Sequence, residues 1–142
     1  MKTVKFFISI FLLTSTIVAQ NISFNELDLI KSKSNSEIET FIKKRKFSFI
    51  TSQSHSVQWK SKNGDIIQFN GKGVLVFMTY NKNIYATITG DLKKSSYKYT
   101  GKSKKNGIDV ESYSKGKVTV FLTSVKNPEN GRQAYSLTFY QS

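Results

Sequence analysis

The sequence predicts an α+β domain in which two short N-terminal helices pack on an antiparallel β-sheet made of two similar halves. One observation is a strand-like segment that occurs twice, as VLVFMT at residues 74–79 and VTVFLT at residues 118–123. Another is a pair of capping-box motifs near the N-terminus, each followed by an amphipathic helical pattern. The last is a change of apolar periodicity to two after residue 46, which indicates strands.

The first 19 residues have the features of a cleavable signal peptide. Lys2 and Lys5 precede an apolar segment, and Ala19 offers a cleavage site. A retained membrane anchor is the alternative, but segment 6–19 has only 14 residues, whereas a bilayer-spanning helix needs about 20. We therefore expect an exported chain, periplasmic or secreted, that forms one mature domain over residues 20–142 without a transmembrane anchor.

Charge and cysteine content narrow the functional classes. The chain has no cysteine, which excludes disulfides, thiol catalysis and cysteine-based zinc sites. Its formal charge is +13, or +11 without the two lysines of the signal peptide, and such a balance suggests affinity for polyanions. However, only Arg45 and Arg132 are arginines, and arginine is the side chain suited to bidentate phosphate contacts. A solubilising role for the lysines is therefore the alternative, and we expect no specific nucleic-acid recognition.

The N-terminal helices are predicted from the motif S-x-x-E. It occurs at Ser23 and again at Ser36, where a Ser hydroxyl and a Glu carboxylate can each accept a free backbone N–H. The apolar stripes that follow extend the helices over about residues 24–31 and 37–46. Because short helices are marginal alone, both need a sheet to lie on.

Residues 47–89 are predicted to form strands. Asn63 and Gly64 are a strong turn signal. A hairpin over residues 74–89 would turn at Asn81-Lys82, and its two faces are both apolar, so we expect it at the centre of the sheet. The other predicted strands of this half are residues 47–49, 57–59 and 66–69.

A second half is predicted from similarities at a spacing of 50 residues. They suggest pseudo-repeats over about residues 36–89 and 90–142, although chance similarity in a chain rich in Lys, Ser and Asn is the alternative. The later strands alternate between apolar and polar residues, which is typical of a sheet buried on one side. The matched positions are Ile42 and Leu92, Phe47 and Tyr97, Phe49 and Tyr99, and Tyr85 and Tyr135.

The sequence predicts no catalytic set, metal site or cofactor. His55 is the only histidine and lies between Ser54 and Ser56, but neighbours along a strand point to opposite faces and do not form a dyad. Asp109 and Glu111 share one strand face, with no further group selected to work with them. We expect a protein that is not an enzyme. The alternative is an enzyme whose carboxylates come together from distant segments.

The best binding candidate is the lysine-rich segment 93–105, which contains no acidic residue and interleaves its lysines with Tyr97 and Tyr99. On a strand Lys98 would face opposite to both tyrosines, so a solvated hairpin is the favoured interpretation. A site for a polyanion is the alternative. The lysines of this candidate anion site are Lys93, Lys94, Lys98, Lys102, Lys104 and Lys105.

The first third of the chain resembles small exported proteins of Bacteroidetes-type bacteria. The similarity lies in the helical segment FNELDLI at residues 24–30 and the helix-to-strand segment ETFIKKRKF at residues 39–47. It implies export and a compact fold but no activity. The tandem plan of helix and antiparallel sheet also resembles the β-lactamase-inhibitor-like fold of two units. No inhibitory loop carries over, and the short second helix departs from that plan.

Together these patterns favour a non-enzymatic exported binding domain. Its sheet would carry the helices on one face and would bind a partner of unknown identity with the other face or with its loops. The alternative is a surface protein that binds an anionic glycan, a lipid headgroup or nucleic acid through the lysine-rich hairpin. The oligomeric state is not predicted.

Overall fold

The computed structural model describes residues 21–53, 55–70 and 73–142, so the predicted signal peptide lies outside the described residues. These residues form three helices and one antiparallel sheet of eight strands, which confirms the α+β class. The helices are α1 (Phe24–Ile30), α2 (Asn35–Lys44) and α3 (Lys82–Lys94). The strands are β1 (Ser48–Gln53), β2 (Ser56–Lys60), β3 (Ile66–Asn70), β4 (Val74–Thr79), β5 (Lys98–Lys105), β6 (Ile108–Lys115), β7 (Val118–Lys126) and β8 (Gln133–Gln141).

Each half of the chain runs from a helix into four consecutive strands. Helix α2 leads into β1 to β4, and α3 leads into β5 to β8. The strand order is β1-β2-β3-β4-β8-β7-β6-β5, so two four-stranded meanders meet where β4 pairs with β8. The sheet consequently has two edges, β1 and β5. The helices are not all N-terminal as predicted, because α3 lies between the two meanders in the sequence.

Strands β4 and β8 pair through matching side chains. Leu75 pairs with Phe139, and Phe77 pairs with Leu137. If β4 and β8 exchange places, Leu137 takes the position of Leu75 and Phe139 that of Phe77. The same two Leu–Phe pairs then result. The central contact of the sheet is therefore built from the same pair of side chains twice.

The two edge hairpins have matching registers as well. Phe49 pairs with Trp59 at one edge, and Tyr99 pairs with Tyr113 at the other. In each hairpin a β-bulge interrupts the register directly after that pair. The edge strands thus have equivalent backbone geometry, although they differ in sequence.

Helix α1 begins at the predicted capping box, whereas α2 is capped at Ser34 and not at the predicted Ser36. Ser23 donates its N–H to the carboxylate of Glu26 over 2.9 Å, and Glu26 donates its N–H to the Ser23 hydroxyl. Helix α2 begins two residues before the predicted start, with Ser34 as the cap and Glu37 as its partner. Segment 34–39 contains two overlapping S-x-x-E motifs, and the fold uses the first.

The predicted hairpin over residues 74–89 is wrong, because its second strand is the first part of α3. Asn81 caps this helix: its side-chain oxygen accepts the N–H groups of Asn83 and Ile84 over 2.9 and 3.3 Å. An Asn at a cap satisfies backbone donors that a helix leaves free at its start. The Asn81-Lys82 signal was therefore a helix start and not a hairpin turn.

The misassigned segment fits both periodicities. The spacing of Ile84 and Ile88 places them on the same face of a strand, but it also places them about one turn apart on the same face of a helix. Leu92 continues the same helical stripe. Ile88 and Leu92 are buried, so packing of this stripe outweighs the β propensity of the branched residues. Gly90 lies inside α3 and does not begin the second half. Moreover, the two similar strands are β4 and β7, the fourth strand of one half and the third of the other.

The core lies between the helices and one face of the sheet, and α1 connects it to the second half. The ring of Phe24 lies 5.7 Å from that of Tyr97 and 5.8 Å from that of Phe139, measured between centroids. The Tyr97 hydroxyl donates a hydrogen bond to Asp28 over 2.5 Å. Helix α1 therefore packs on strands that follow it by some 70 residues or more, which ties the N-terminal segment to the C-terminal meander.

Candidate functional site: the open face of the sheet

The helices cover only one face of the eight-stranded sheet, and we call the other face the open face. Burial alternates along β3 and β4: Ile67 and Phe77 are buried under the helices, whereas Gln68 and Val76 point the opposite way and are half-buried. The paired positions continue this arrangement across the sheet. The central row of the open face is Gln58, Gln68, Val76, Thr138, Phe121 and Ser112.

Formal charge is nearly absent from the open face. Among the described residues no acidic side chain lies on it, and its lysines are Lys60 on β2 and Lys98 and Lys105 on the edge strand β5. The five strands β3, β4, β6, β7 and β8 contribute uncharged side chains only. In a chain with 22% charged residues, a solvated face would carry charges throughout.

Polar side chains of the open face bond to one another across the strands. Each such pair satisfies part of its own hydrogen-bonding capacity, which lowers the cost of covering it with a partner. Apolar side chains lie among them, including Phe121 and Tyr140, of which Tyr140 is 47% exposed. The polar pairs are Gln58 with Gln68 (2.9 Å), Ser114 with Thr119 (3.2 Å) and Thr123 with Ser136 (2.6 Å).

The six lysines of the predicted anion site do not lie together. Four are on β5, where alternation divides them between the two faces of the sheet. Lys98 and Lys105 point to the open face, whereas Lys102 and Lys104 point to the helical side. The ammonium of Lys102 lies 3.2 Å from the carboxylate of Asp109. The segment thus offers two separate pairs of lysines in place of one cluster.

Lys94 is the last residue of α3 and its side chain is exposed. Lys93, in contrast, lines a small cleft. Lys93 and Lys102 meet at a space of about 200 Å³ that is also lined by Tyr85, Asp109 and Glu111. Burial, followed by the charge of Glu111, raises the pKa of Tyr85 to about 12. Because two carboxylates face two ammonium groups here, the cleft does not have the one-signed field that a polyanion requires.

A second cleft, of about 330 Å³, lies between the start of α1, the β2–β3 turn and α3. Amide side chains line it, namely those of Asn21, Asn63, Asn81 and Asn83, and Asp91 is its acidic residue. Asn81 is already occupied in capping α3. Among its lining residues the cleft offers no cationic group to an anionic ligand.

A buried hydrogen-bond network joins the β2–β3 turn to the end of β4. The carboxylate of Asp65, which is 2% exposed, accepts from the hydroxyls of Thr79 and Ser61 over 2.6 and 3.2 Å. Thr79 in turn accepts the N–H of Asn81 over 3.0 Å. No local sequence pattern indicates this link, because Thr79 is 14 positions from Asp65. The network supports the cap of α3.

The described residues bring no acid–base pair or metal site together with His55. That residue lies exposed in the β1–β2 turn at a φ of 79°, and no group of His, Asp and Glu suited to a metal ion occurs in the described ranges. None of the described helices is long and apolar enough to cross a membrane. No protein-family model, curated protein or solved structure matches the chain.

Proposed function

We propose that the chain is an exported, non-enzymatic binding protein whose open face binds a partner protein. The observation that supports this most is the distribution of charge. The centre of the open face is uncharged over five strands, and its lysines, Lys60, Lys98 and Lys105, lie toward the two edges of the sheet. Protein interfaces have the same organisation, since charged residues are depleted at their cores and a polar rim surrounds them.

Charge complementarity indicates the kind of partner. The lysines at the margins of the open face, and the absence of carboxylates among its described residues, favour a partner with an uncharged central patch and acidic side chains around it. A second copy is the less suitable occupant, because the chain carries a formal charge of +11 without its signal peptide and two copies would bring like charges together.

Substitution of the central row tests this function. In the variant Val76→Glu with Phe121→Glu, two carboxylates stand in the middle of the open face. The matched control, Asn25→Glu with Thr87→Glu, adds the same charge at exposed positions of α1 and α3. Purified residues 20–142 are immobilised, and envelope proteins of the producing cells are captured and quantified by mass spectrometry. Circular dichroism and urea midpoints establish that each variant is folded.

We expect an acidic protein to be captured by the parent chain and by the control. Capture by the variant of the central row should fall more than tenfold, because a buried interface position is worth about 2 kcal/mol or more. Equal capture by both variants, or no protein captured by the parent chain, would falsify the proposal. Intact mass of the cellular protein tests export separately, since retention of residues 1–19 contradicts cleavage.

We also propose that the two meanders arose by duplication of one helix-plus-four-strand unit. The exchange symmetry of the Leu75–Phe139 and Phe77–Leu137 pairs supports it, as do the bulges at equivalent places in the edge hairpins. The unit would then begin at α2 in one half and at α3 in the other.

Polyanion binding is supported by net charge alone and remains the alternative hypothesis. Its test is retention on a heparin column in rising salt, because polyanion binding weakens steeply with ionic strength. If the hypothesis holds, Lys93→Glu with Lys94→Glu elutes at lower salt than the parent chain. Unchanged elution refutes it.

A further inference from the structure

The two edge strands of the sheet differ in charge although their backbone geometry matches. Strand β5 has lysines at four of its eight positions, whereas β1 has the sequence SFITSQ and no charged residue. Lysines on an edge oppose the addition of another strand, and natural sheets use them for that purpose. The β5 edge is therefore protected, and the β1 edge lacks the same protection.

Strand β1 also exposes apolar side chains at this unprotected edge. Phe49 is 59% exposed and Ile50 is 44% exposed. Within the described ranges no strand pairs with β1 on the side away from β2. An edge of this kind offers free backbone donors and acceptors next to apolar surface, which are the two requirements of strand addition.

Positive charge is concentrated at the beginning of β1. Lys44 and Lys46 are exposed at the end of α2, and Lys46 has a φ of 58° that turns the chain directly into the strand. Lys60, also exposed, pairs with Ser48 on the neighbouring strand β2. An antiparallel strand added to β1 would end beside Ser48, so its C-terminal residues would lie among these lysines.

We propose that β1 binds an extended segment of a partner protein as a ninth, antiparallel strand whose C-terminal end carries carboxylates. Main-chain hydrogen bonds to β1 hold the segment, the ring of Phe49 packs against its apolar side chains, and Lys44, Lys46 and Lys60 bind its acidic end. Apart from Lys60, which also borders the open face, this site lies outside that face, and it does not depend on the function proposed for the open face.

Two short peptides test the direction of binding. One is Thr-Val-Thr-Val-Thr-Glu-Glu and the other is its reverse, both acetylated, amidated and labelled for fluorescence anisotropy with residues 20–142. We expect the peptide with C-terminal acids to bind roughly three- to tenfold more tightly, since each exposed ion pair contributes only modestly. Equal affinity, or no binding at millimolar peptide, overturns the proposal.

N-methylation of the peptide tests the main-chain pairing. In an added strand, alternate amides face β1 and the others face solvent. N-methylation of one alternate set should abolish binding, while N-methylation of the other set should leave it within about threefold. If both sets bind alike, the peptide is not held as a strand.

Variants of the protein locate the site. Ile50→Lys with Ser52→Lys gives β1 charges like those of β5 and should weaken peptide binding more than tenfold. The control Asn25→Lys with Thr87→Lys adds the same charge on exposed helix positions and should bind normally. If the β1 variant binds normally, the proposal is wrong. A doubled mass of the parent chain in light scattering, lost in the β1 variant, would also overturn it, because the occupant would then be a second copy.

Discussion

The ring of Tyr85 stacks on the ring of Tyr135, with centroids 4.8 Å apart and planes inclined by 27°. Tyr85 belongs to α3 and Tyr135 to β8, so the stack fastens the helix of the second half to the strand that borders the first half. Offset stacking of this kind contributes beyond the area that the rings bury.

Removal of one ring should loosen this contact. We expect Tyr135→Ala to lower the free energy of unfolding by about 2–4 kcal/mol, because it removes half-buried aromatic surface and the stacking partner. Tyr135→Phe keeps the ring and serves as the control, with a change of under about 1 kcal/mol. Urea unfolding followed by circular dichroism measures both. An alanine variant as stable as the phenylalanine variant would show that the stack contributes nothing.

The matching Leu–Phe pairs of the β4–β8 contact predict equal losses of stability at Leu75 and Leu137. Leu75 and Leu137 are both fully buried and each pairs with a phenylalanine across the β4–β8 contact. Leu75→Ala and Leu137→Ala should each cost about 2–5 kcal/mol, and the two values should agree within about 1 kcal/mol. Urea midpoints with a common slope give the comparison. A larger difference would mean that the two environments are not equivalent.

The buried Asp65 network should be sensitive to loss of its acceptor. Asp65→Ala leaves the hydroxyls of Ser61 and Thr79 without their partner in the interior, and we expect a loss of about 2–4 kcal/mol. Asp109→Ala is the control, because that side chain is 60% exposed and its ion pair with Lys102 is worth under about 1 kcal/mol. Thermal unfolding should show a clear decrease in Tm for Asp65→Ala only.

Alkaline pH should destabilise the fold through two tyrosines. Burial, with the hydrogen bond and charge of Asp28, raises the pKa of Tyr97 well above its usual value, and burial raises the pKa of Tyr85 to about 12. Tyrosines of the unfolded chain ionise near pH 10. The stabilisation is therefore complete below pH 10 and is lost as pH rises from 10 toward the raised pKa values.

Tyr97→Phe tests this pH dependence. The variant should lose stability less steeply than the parent chain between pH 9 and pH 11 in urea unfolding. In an alkaline titration followed by absorbance at 295 nm, Tyr97→Phe should show one fewer tyrosine with a raised pKa than the parent chain. Asp28→Asn should give an intermediate slope, because it removes only the charge. Identical slopes for all three proteins would contradict the assignment.

The α2 capping box should be visible in the titration of Glu37. Hydrogen bonds from the Ser34 backbone N–H and hydroxyl, followed by Lys33, hold the pKa of Glu37 below its ordinary value. A lowered pKa means that the stabilisation exists above the unfolded pKa and is lost as pH falls through the folded one. By NMR titration, Ser34→Ala and Lys33→Ala should each raise the pKa of Glu37. No change in the pKa of Glu37 in either variant would refute the cap.

Local sequence patterns predicted the parts of this protein that depend on neighbouring residues. The cap at Ser23 and the turn at Asn63-Gly64 follow from short-range hydrogen bonds and backbone preferences, and the structure contains both. The one-sided burial of the later strands also followed from their alternation. In contrast, Ile84 and Ile88 fit a strand and a helix equally well, and Leu92 could not be assigned to the same stripe until the core was known.

The sequence by itself determined an α+β chain with capped N-terminal helices, several of its strands and a strong positive charge. Only the tertiary structure decided that residues 84–89 are helical, that β4 meets β8, and that the lysines of β5 divide between two faces. It also decided that, among the described residues, the central strands of the open face present only uncharged side chains there, and that the uncharged strand β1 is an edge of the sheet. Those features depend on which distant segments pair and on the register of pairing, because a shift of one residue moves every side chain of a strand to the opposite face.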